Sequence, residues 1–508
     1  MSTPIRNRFK FIFLLSIAIC TSFSANSQVL EVGPGYPYAS LAEAADVAVP
    51  GATILIHEGT YPGGVFIENL QGTINDWIYI FAAQGESVIF EGGTNAMQFT
   101  DAAYLQIHGI IFQHQTGNGV NIDDGGSYET PSHHITIDHC TFRDMNVSGN
   151  NDLLKLSGID YFEVRQCTFL NGAAGGSGID MVGCHDGSIY DNHFENQGSN
   201  SIQAKGGTRN IRIEGNLFKN GGARAVNLGG STGLQFFRPL DAPYESAELK
   251  VYSNVFIGSE APIAFVGTVN TEVVNNTIYL PTKWVMRILQ ETVDTSRFPP
   301  CGYNTFRNNI VYIDNRVNVE CNIGPNTAPE TFTFSNNLWF HSENGFWLGP
   351  DLPATDEDNI IGEDPLFENT SSDNFALLEN SPAIGNGLDV SEPGIDFALK
   401  WFLSPRSIGA HEGGKITGIE NIISSKENQF TAFPNPANEI LTISLNAPVE
   451  KGILSLVSIT GKNEIRKELG TKEKSQTIQF TIPTDLHGIY MLILEGKGIH
   501  DSQMIIID

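Results

Sequence analysis

Lys155, Asp180, Gln203, Lys205 and Asn227 are spaced so that neighbouring strands of a stacked β-structure would bring them to one patch of one face. Two lysines, a carboxylate and two amides in such a patch suit proton abstraction beside the carboxylate of a uronic acid. A cation neutralises that carboxylate so that the C5 proton becomes acidic. A base removes the proton, and the leaving oxygen departs in a β-elimination. Lysine serves as base where neighbouring cations lower its pKa. Lys205, with Arg209 and Arg224 close in sequence, is the expected base, and Arg224 and Asp180 are its expected catalytic partners. Lys155, Gln203, Arg209 and Asn227 are expected to bind substrate, with Phe236, Phe237 and Arg238 overhanging from the loop that follows. Asp180 with Asp123 or Asp124 could hold Ca²⁺ through bridging carboxylates, the one cofactor the sequence suggests. Asp180 with Asp123 or Asp152 could instead supply the carboxylate pair of a glycoside hydrolase.

The elements that must position these groups are legible as a repeat. ITIDHCTF, FEVRQCTF, GSIYDNHF, IRIEGNLF, LKVYSNVF, TEVVNNTI, NTFRNNIV and FTFSNNLW align Cys140, Cys167, Asn192, Asn216, Asn254, Asn276, Asn309 and Asn337 in one column. Two residues on stands an apolar column, Phe142, Phe169, Phe194, Phe218, Phe256, Ile278, Val311 and Trp339, and LQIHGIIF adds Phe112 one coil earlier. The spacings of 27, 25, 24, 38, 22, 33 and 28 residues give a base period in the twenties with insertions. Repeats of this length with alternating polarity and Gly or Asn at the corners predict an all-β solenoid, a right-handed parallel β-helix. An inward Asn at each corner can bond the turns above and below. In the strand before each phrase the inward pairs run from Val120/Ile122 through Leu154/Leu156, Ile179/Met181 and Ile202/Ala204 to Val226/Leu228. Alternation then turns Asn121, Lys155, Asp180, Gln203 and Asn227 outward, with Asp123, Ser157, Val182 and Lys205 in the next outward column.

Four regions are expected: a signal peptide over 1–27, the β-helix over 28–411, a linker over 412–425, and a small β-sandwich over 426–508. The leader has a basic start, an apolar run and small residues before Gln28. Ser40–Val49 reads as a helical cap over the open end, with coils from about residue 52 to about 400. Gly229–Glu248 and Pro281–Tyr303 are long insertions, the second carrying Trp284 and Arg287. Cys140 and Cys167 read as buried thiols, whereas Cys301 and Cys321 could form a disulfide.

Charge narrows the partners. The net charge of −28 argues against nucleic acid and against an anionic membrane. Yet Lys205 to Arg238 holds six basic residues (Lys205, Arg209, Arg212, Lys219, Arg224, Arg238) against Glu214, although residues 28–424 carry a net −29. That window points to an anionic ligand, an acidic polysaccharide, bound by a monomer. An outward lysine is most often solvated; Gly206–Gly207 and Gly229–Gly230 read as corners; Asp160, Asp186 and Asp191 read as turn formers.

PGATILIHEGTY and SIQAKGGTRNIRIEGNLF resemble pectate-lyase-like β-helices, and chondroitinase-B-like polysaccharide lyases in particular. The resemblance implies that Lys205 is the base. It places the family's second catalytic residue, an arginine, at Leu228, four positions beyond Arg224. FTAFPNPANEILTISL and GIYMLILEGKGIHDSQMIIID resemble the C-terminal sorting domain of type IX secretion in Bacteroidota, although Ser502–Gln503 stand where many members have lysines. That likeness implies partnership with the secretion machinery and a secreted or cell-surface product. Three functions follow: a polysaccharide lyase or uronate epimerase, a glycoside hydrolase of the same fold, or a non-catalytic glycan binder or adhesin. Aromatics outside the core gather at the two insertions rather than along many coils, which favours an enzyme with one cleft.

Overall fold

A computed structural model describes residues 28–413, 430–433, 437, 440–446, 448–458, 463–472, 476–483, 486, 488–496 and 499–507. The expected signal peptide and most of the expected linker lie outside these residues. The chain divides into two compact units, Met1–Ile211 with Gly229–Ser246, and Arg212–Leu228 with Ala247–Asp508.

The first unit is a parallel β-helix of three sheets, right-handed as crossovers between parallel strands are. One sheet holds Val29–Val32, Thr53–Ile56, Ile78–Ala82, Ala103–His108, Ser132–Asp138, Ile159–Arg165 and His185–Tyr190. A second runs from Gly59–Pro62 through Thr141–Arg143 and Thr168–Leu170 to His193–Glu195. The third holds Val65–Glu68, Met97–Thr100, Val120–Asp123, Leu154–Ser157, Ser177–Val182 and Asn200–Lys205. Parallel pairing therefore begins at Val29, ahead of the expected residue 52, because strand Val29–Val32 already pairs with Thr53–Ile56. Helix Leu41–Ala45 buries Leu41, Ala44 and Ala45; Ser40 caps its Glu43 N–H, and the Glu43 side chain returns to the Ala39 N–H at 2.9 Å.

Stacking makes the core, as the repeat requires. Phe112, Phe142, Phe169 and Phe194 are fully buried, with successive ring centroids 4.9, 4.8 and 4.7 Å apart. Each ring contributes about 2–3 kcal/mol by burial.

The second unit continues the same logic with its own ladder. The Asn216 N–H donates to Asn254 Oδ1 at 2.9 Å, Asn254 to Asn276 at 3.0 Å, Asn276 to Asn309 at 2.9 Å, and Asn309 to Asn337 at 2.9 Å. The residue before each rung turns the corner in the left-handed region: Ser253, Asn275, Asn308 and Asn336 have φ between 50° and 55°. In the first unit Cys167 stands in for an amide, its Sγ accepting from the Cys140 N–H at 3.4 Å. Parallel pairing ends at Ile360–Ile361, short of the expected residue 400, and an antiparallel hairpin, Phe367–Asn369 with Asn374–Leu377, follows. Glu412 accepts from Ser407 Oγ at 2.6 Å, so ordered contacts continue past the expected boundary at residue 411. Cys301 and Cys321 are buried free thiols, not a disulfide, and burial pushes each up to about 12.

The tail forms two antiparallel sheets, Phe430–Phe433, Ile440–Leu445 and Thr477–Thr481 in one, Val449–Ser458, Asn463–Lys472, Gly488–Gly496 and Ile499–Ile507 in the other. Phe430, Leu441, Ile443, Leu454, Leu492 and Ile505 are among its buried core, which is the β-sandwich the alternation predicts.

Candidate functional site

The outward columns of the third sheet fall into the expected register. Asn121 pairs with Lys155, Lys155 with Asp180, and Asp180 with Gln203; beside them Asp123, Ser157, Val182 and Lys205 align. Asp180 is 1% exposed although it points away from the core, because two long lysines fold over it. Lys155 Nζ contacts Asp180 Oδ2, and Lys205 Nζ lies 3.2 Å from Asp180 Oδ1. Lys155 Nζ is also 3.7 Å from Asp152 Oδ2, and Lys205 Nζ donates to Gln203 Oε1 at 3.2 Å. Two ammonium groups thus share one buried carboxylate while keeping part of their surface in solvent. Burial holds the Lys155 ammonium below the usual lysine range. The Asp152 carboxylate opposes that shift, and the neighbouring Lys205 charge adds to it.

The insertion Gly229–Ser246 is pinned over this unit by two buried charges. Glu245 is fully buried and accepts from the Gly206 N–H at 2.9 Å, the Thr232 N–H at 2.9 Å and the Thr232 hydroxyl at 2.7 Å. Arg238 grips Asp160 with both terminal guanidinium nitrogens, at 2.6 and 2.8 Å, and donates to the Gly183 carbonyl at 3.0 Å. Burial pushes Asp160 up, but Arg238 and His185 outweigh it and hold the carboxyl well below the usual range. Gly230 needs its glycine. Its φ is +153°, and a Cβ there would meet Gln203 Nε2 at 2.7 Å.

Several expected roles change at this point. Arg238 and Phe237 were expected to face substrate; Phe237 is fully buried and Arg238 is spent on Asp160, so they anchor the loop. Phe236 alone of the three is exposed. Arg209 is exposed in Thr208–Glu214, outside the lysine-bearing sheet. The basic window is not one patch. Arg212 pairs with Glu214 and Glu392, Lys219 lies 2.7 Å from Asp373, and Arg238 is buried. Residues adjacent in sequence are distributed by the solenoid over different sheets.

The Ca²⁺ expectation does not fit either. Asp180 is enclosed by two lysines, and Asp123 is two strands away, roughly 10 Å along the stack. Asp123 accepts from Gln98, Asn121 and the Gly125 N–H. Asp124 lies just beyond the strand, is buried, and accepts from the Gly126 N–H, with burial raising its pKa.

In the second unit Arg224 donates to Glu291 at 2.7 Å and to Asn227 at 3.3 Å, and Asn227 is itself buried. Leu228, where the resemblance places an arginine, is fully buried. Two cations lie over the Trp284 ring, Lys283 at 4.1 Å and Arg287 at 4.7 Å from its centroid.

Sequence reasoning missed the structural importance of Asp160, His185 and Glu245. Their partners lie 78, 53 and 39 residues away, beyond any local signal. A cavity of about 540 Å³ opens elsewhere in the first unit, lined by Asn69, Gln71, Asp101, Glu129, Thr130 and His133, and none of the expected site residues borders it.

Residues 86–278 match the family model of a right handed beta helix region, and residues 431–508 match that of the secretion system C-terminal sorting domain. The tail therefore marks the protein for type IX export to the cell surface or extracellular space. No curated protein matches the chain. Solved structures resemble it in fold. Pectate lyase Pel9A is 15% identical with TM-score 0.49, over 74% of this chain and 91% of the other. The PL6 family polysaccharide lyase Pedsa3628 from Pseudopedobacter saltans is 13% identical with TM-score 0.40, over 75% and 99%. The A-module of the Azotobacter vinelandii mannuronan C-5 epimerase AlgE6 is 13% identical with TM-score 0.35, over 64% and 93%.

Proposed function

We propose that the protein is an exported enzyme that abstracts the C5 proton of a uronic acid within a polysaccharide, and that Lys155, Asp180 and Lys205 are its reactive centre. The observation that carries this reading is the pair of half-buried lysines held on one buried carboxylate, 3.2 Å from Lys205 and in contact with Lys155.

The two lysines divide the work. Lys155, whose ammonium is weakened by burial and by Lys205, is the base; this moves the role from Lys205, where the sequence alone puts it. In its neutral form Lys155 takes the C5 proton, while the Lys205 ammonium meets the uronate carboxylate and stabilises the charge that develops there. The electron pair left at C5 forms a C4–C5 double bond as the C4–oxygen bond breaks, and the departing oxygen is protonated from solvent. Protonation of C5 from solvent on the opposite face instead, with the C4–oxygen bond intact, would give epimerisation after the same abstraction by Lys155. Asp180 is a positioning residue that fixes both ammonium groups. Hydrolysis would need a carboxyl group free to give up a proton, whereas Asp152 and Asp180 both sit against Lys155.

The test is the ultraviolet absorbance of an unsaturated product when the purified protein meets a panel of uronic-acid polysaccharides. Elimination predicts a rise that falls about 10³-fold in Lys155→Ala, the scale of a lost general base. New reducing ends with no absorbance would mark a hydrolase and end the proposal.

A further inference from the structure

The outer face of the first sheet carries a second constellation that the proton-abstraction reading does not use. His108 ends strand Ala103–His108, and its register partner Asp138 ends the next strand, Ser132–Asp138. His139 follows Asp138 directly, with φ of +51°, so the chain turns there and the imidazole comes back beside the carboxylate. One ring nitrogen of His108, one of His139 and a carboxylate oxygen of Asp138 all lie within 4.8 Å of one another. Both imidazoles address the same oxygen, Oδ1, with His108 Nδ1 3.3 Å away and His139 Nδ1 in contact. For metal–ligand bonds of about 2.0–2.1 Å, tetrahedral coordination separates ligand atoms by about 3.3 Å, so the His108–Asp138 pair is already set at that spacing.

The surroundings prepare the carboxylate for this. Asp138 Oδ2 is held from the far side by Gln106 Nε2 at 3.2 Å and by Arg165 Nη2 at 3.4 Å, which turns Oδ1 toward the two rings. Arg165 is itself fixed by Glu163 at 3.1 Å and by the Tyr190 hydroxyl at 3.0 Å, and Glu163 offsets its charge. The ring of Phe81 packs edge-on against His108 at 5.3 Å and sets its orientation. Asp138 is buried, yet His108 and His139 are 38% and 53% exposed, which leaves a path from solvent. Two imidazoles and one carboxylate, with outer groups steering the carboxylate and one side open, suit a borderline divalent transition metal better than Ca²⁺ or Mg²⁺, which take oxygen ligands.

We propose that His108, Asp138 and His139 bind a divalent transition metal ion of the zinc class on the outer face of the first sheet, clamping two neighbouring coils together. A fourth position remains for water. The ion ties the coil ending at His108 to the coil ending at Asp138, so its effect is on the solenoid rather than on Lys155 and Lys205.

The test is calorimetric titration of the full metal-stripped chain with Zn²⁺, and separately with Ca²⁺, followed by thermal unfolding with and without each ion. The expected result is one Zn²⁺ equivalent bound and a raised Tm, with no response to Ca²⁺. Binding is lost in His108→Ala/His139→Ala, and Gln106→Ala weakens it by about 10-fold through the freed carboxylate. The metal-free double variant should unfold at the metal-free wild-type temperature, which separates lost binding from lost folding. Absence of a Zn²⁺ equivalent in the wild type, an undiminished equivalent in the double variant, or a response to Ca²⁺ alone would overturn the proposal.

Discussion

At the scale of single residues, burial and the neighbouring Lys205 charge make the Lys155 ammonium easier to deprotonate, while Asp152 opposes them. Activity that needs neutral Lys155 rises with pH through the Lys155 pKa, which lies below the ordinary lysine range. Asp152 favours the charged form, so Asp152→Asn, which can preserve its bond to the Ser177 N–H, should move the rising limb to lower pH. Lys205 disfavours it, so the residual activity of Lys205→Ala should rise only at higher pH. A pH–rate profile of the three proteins checks both signs. Arg238 makes a different prediction. Its loss leaves Asp160 without its fork, and unfolding by urea should show a cost on the order of 3 kcal/mol. Asp160 has a lowered pKa in the folded state, so its contribution is present above the ordinary carboxylate range and fades as pH falls through and below it. The Arg238→Ala penalty should therefore shrink in acid.

At the scale of elements, the coil is the unit that the sequence encodes, and the coil was legible. The columns led by Cys140 and Phe142 became a buried amide-and-thiol ladder and a phenylalanine stack. Alternation around Leu154/Leu156 and Ile179/Met181 put Lys155 beside Asp180 in the correct register. The insertions were not legible. Arg238 reads as a surface cation because its partner Asp160 sits 78 residues away, and Phe237 reads as an overhang because nothing local reveals the pocket that buries it. The basic window failed for a related reason: charge counted along the chain ignores that the solenoid sends successive strands to different faces. The ladder supports its own test. Asn276→Ala removes an acceptor from the Asn254 N–H and a donor to the Val251 carbonyl, both buried. Each orphaned group costs about 1–3 kcal/mol, so thermal unfolding should show a marked loss, whereas an exposed Asn386→Ala should show little.

At the scale of the whole molecule, two features govern where and when the protein works. Residues 431–508 carry the export signal, so a chain ending at residue 424 should lose its surface location and accumulate inside the outer membrane; fractionation with antibody detection reads this directly. His411, buried in the second unit, has its pKa lowered to about 4 by burial, with Lys400 adding to the shift. The folded state thus holds the neutral ring while the unfolded chain protonates near its ordinary value, about 6.5. Stability from this group is complete above that value and declines as pH falls toward 4, so His411→Gln should flatten the acid side of a Tm–pH curve.

Proton abstraction at C5 by the Lys155–Asp180–Lys205 centre is read out by incubating polyuronates with the protein in heavy water. The account predicts that mass spectrometry finds unsaturated ends or deuterium at C5, and that both vanish in Lys155→Ala while its fold is unchanged. Turnover that yields new reducing ends with neither mark, or marks that persist undiminished in the Lys155→Ala/Lys205→Ala protein, would contradict it.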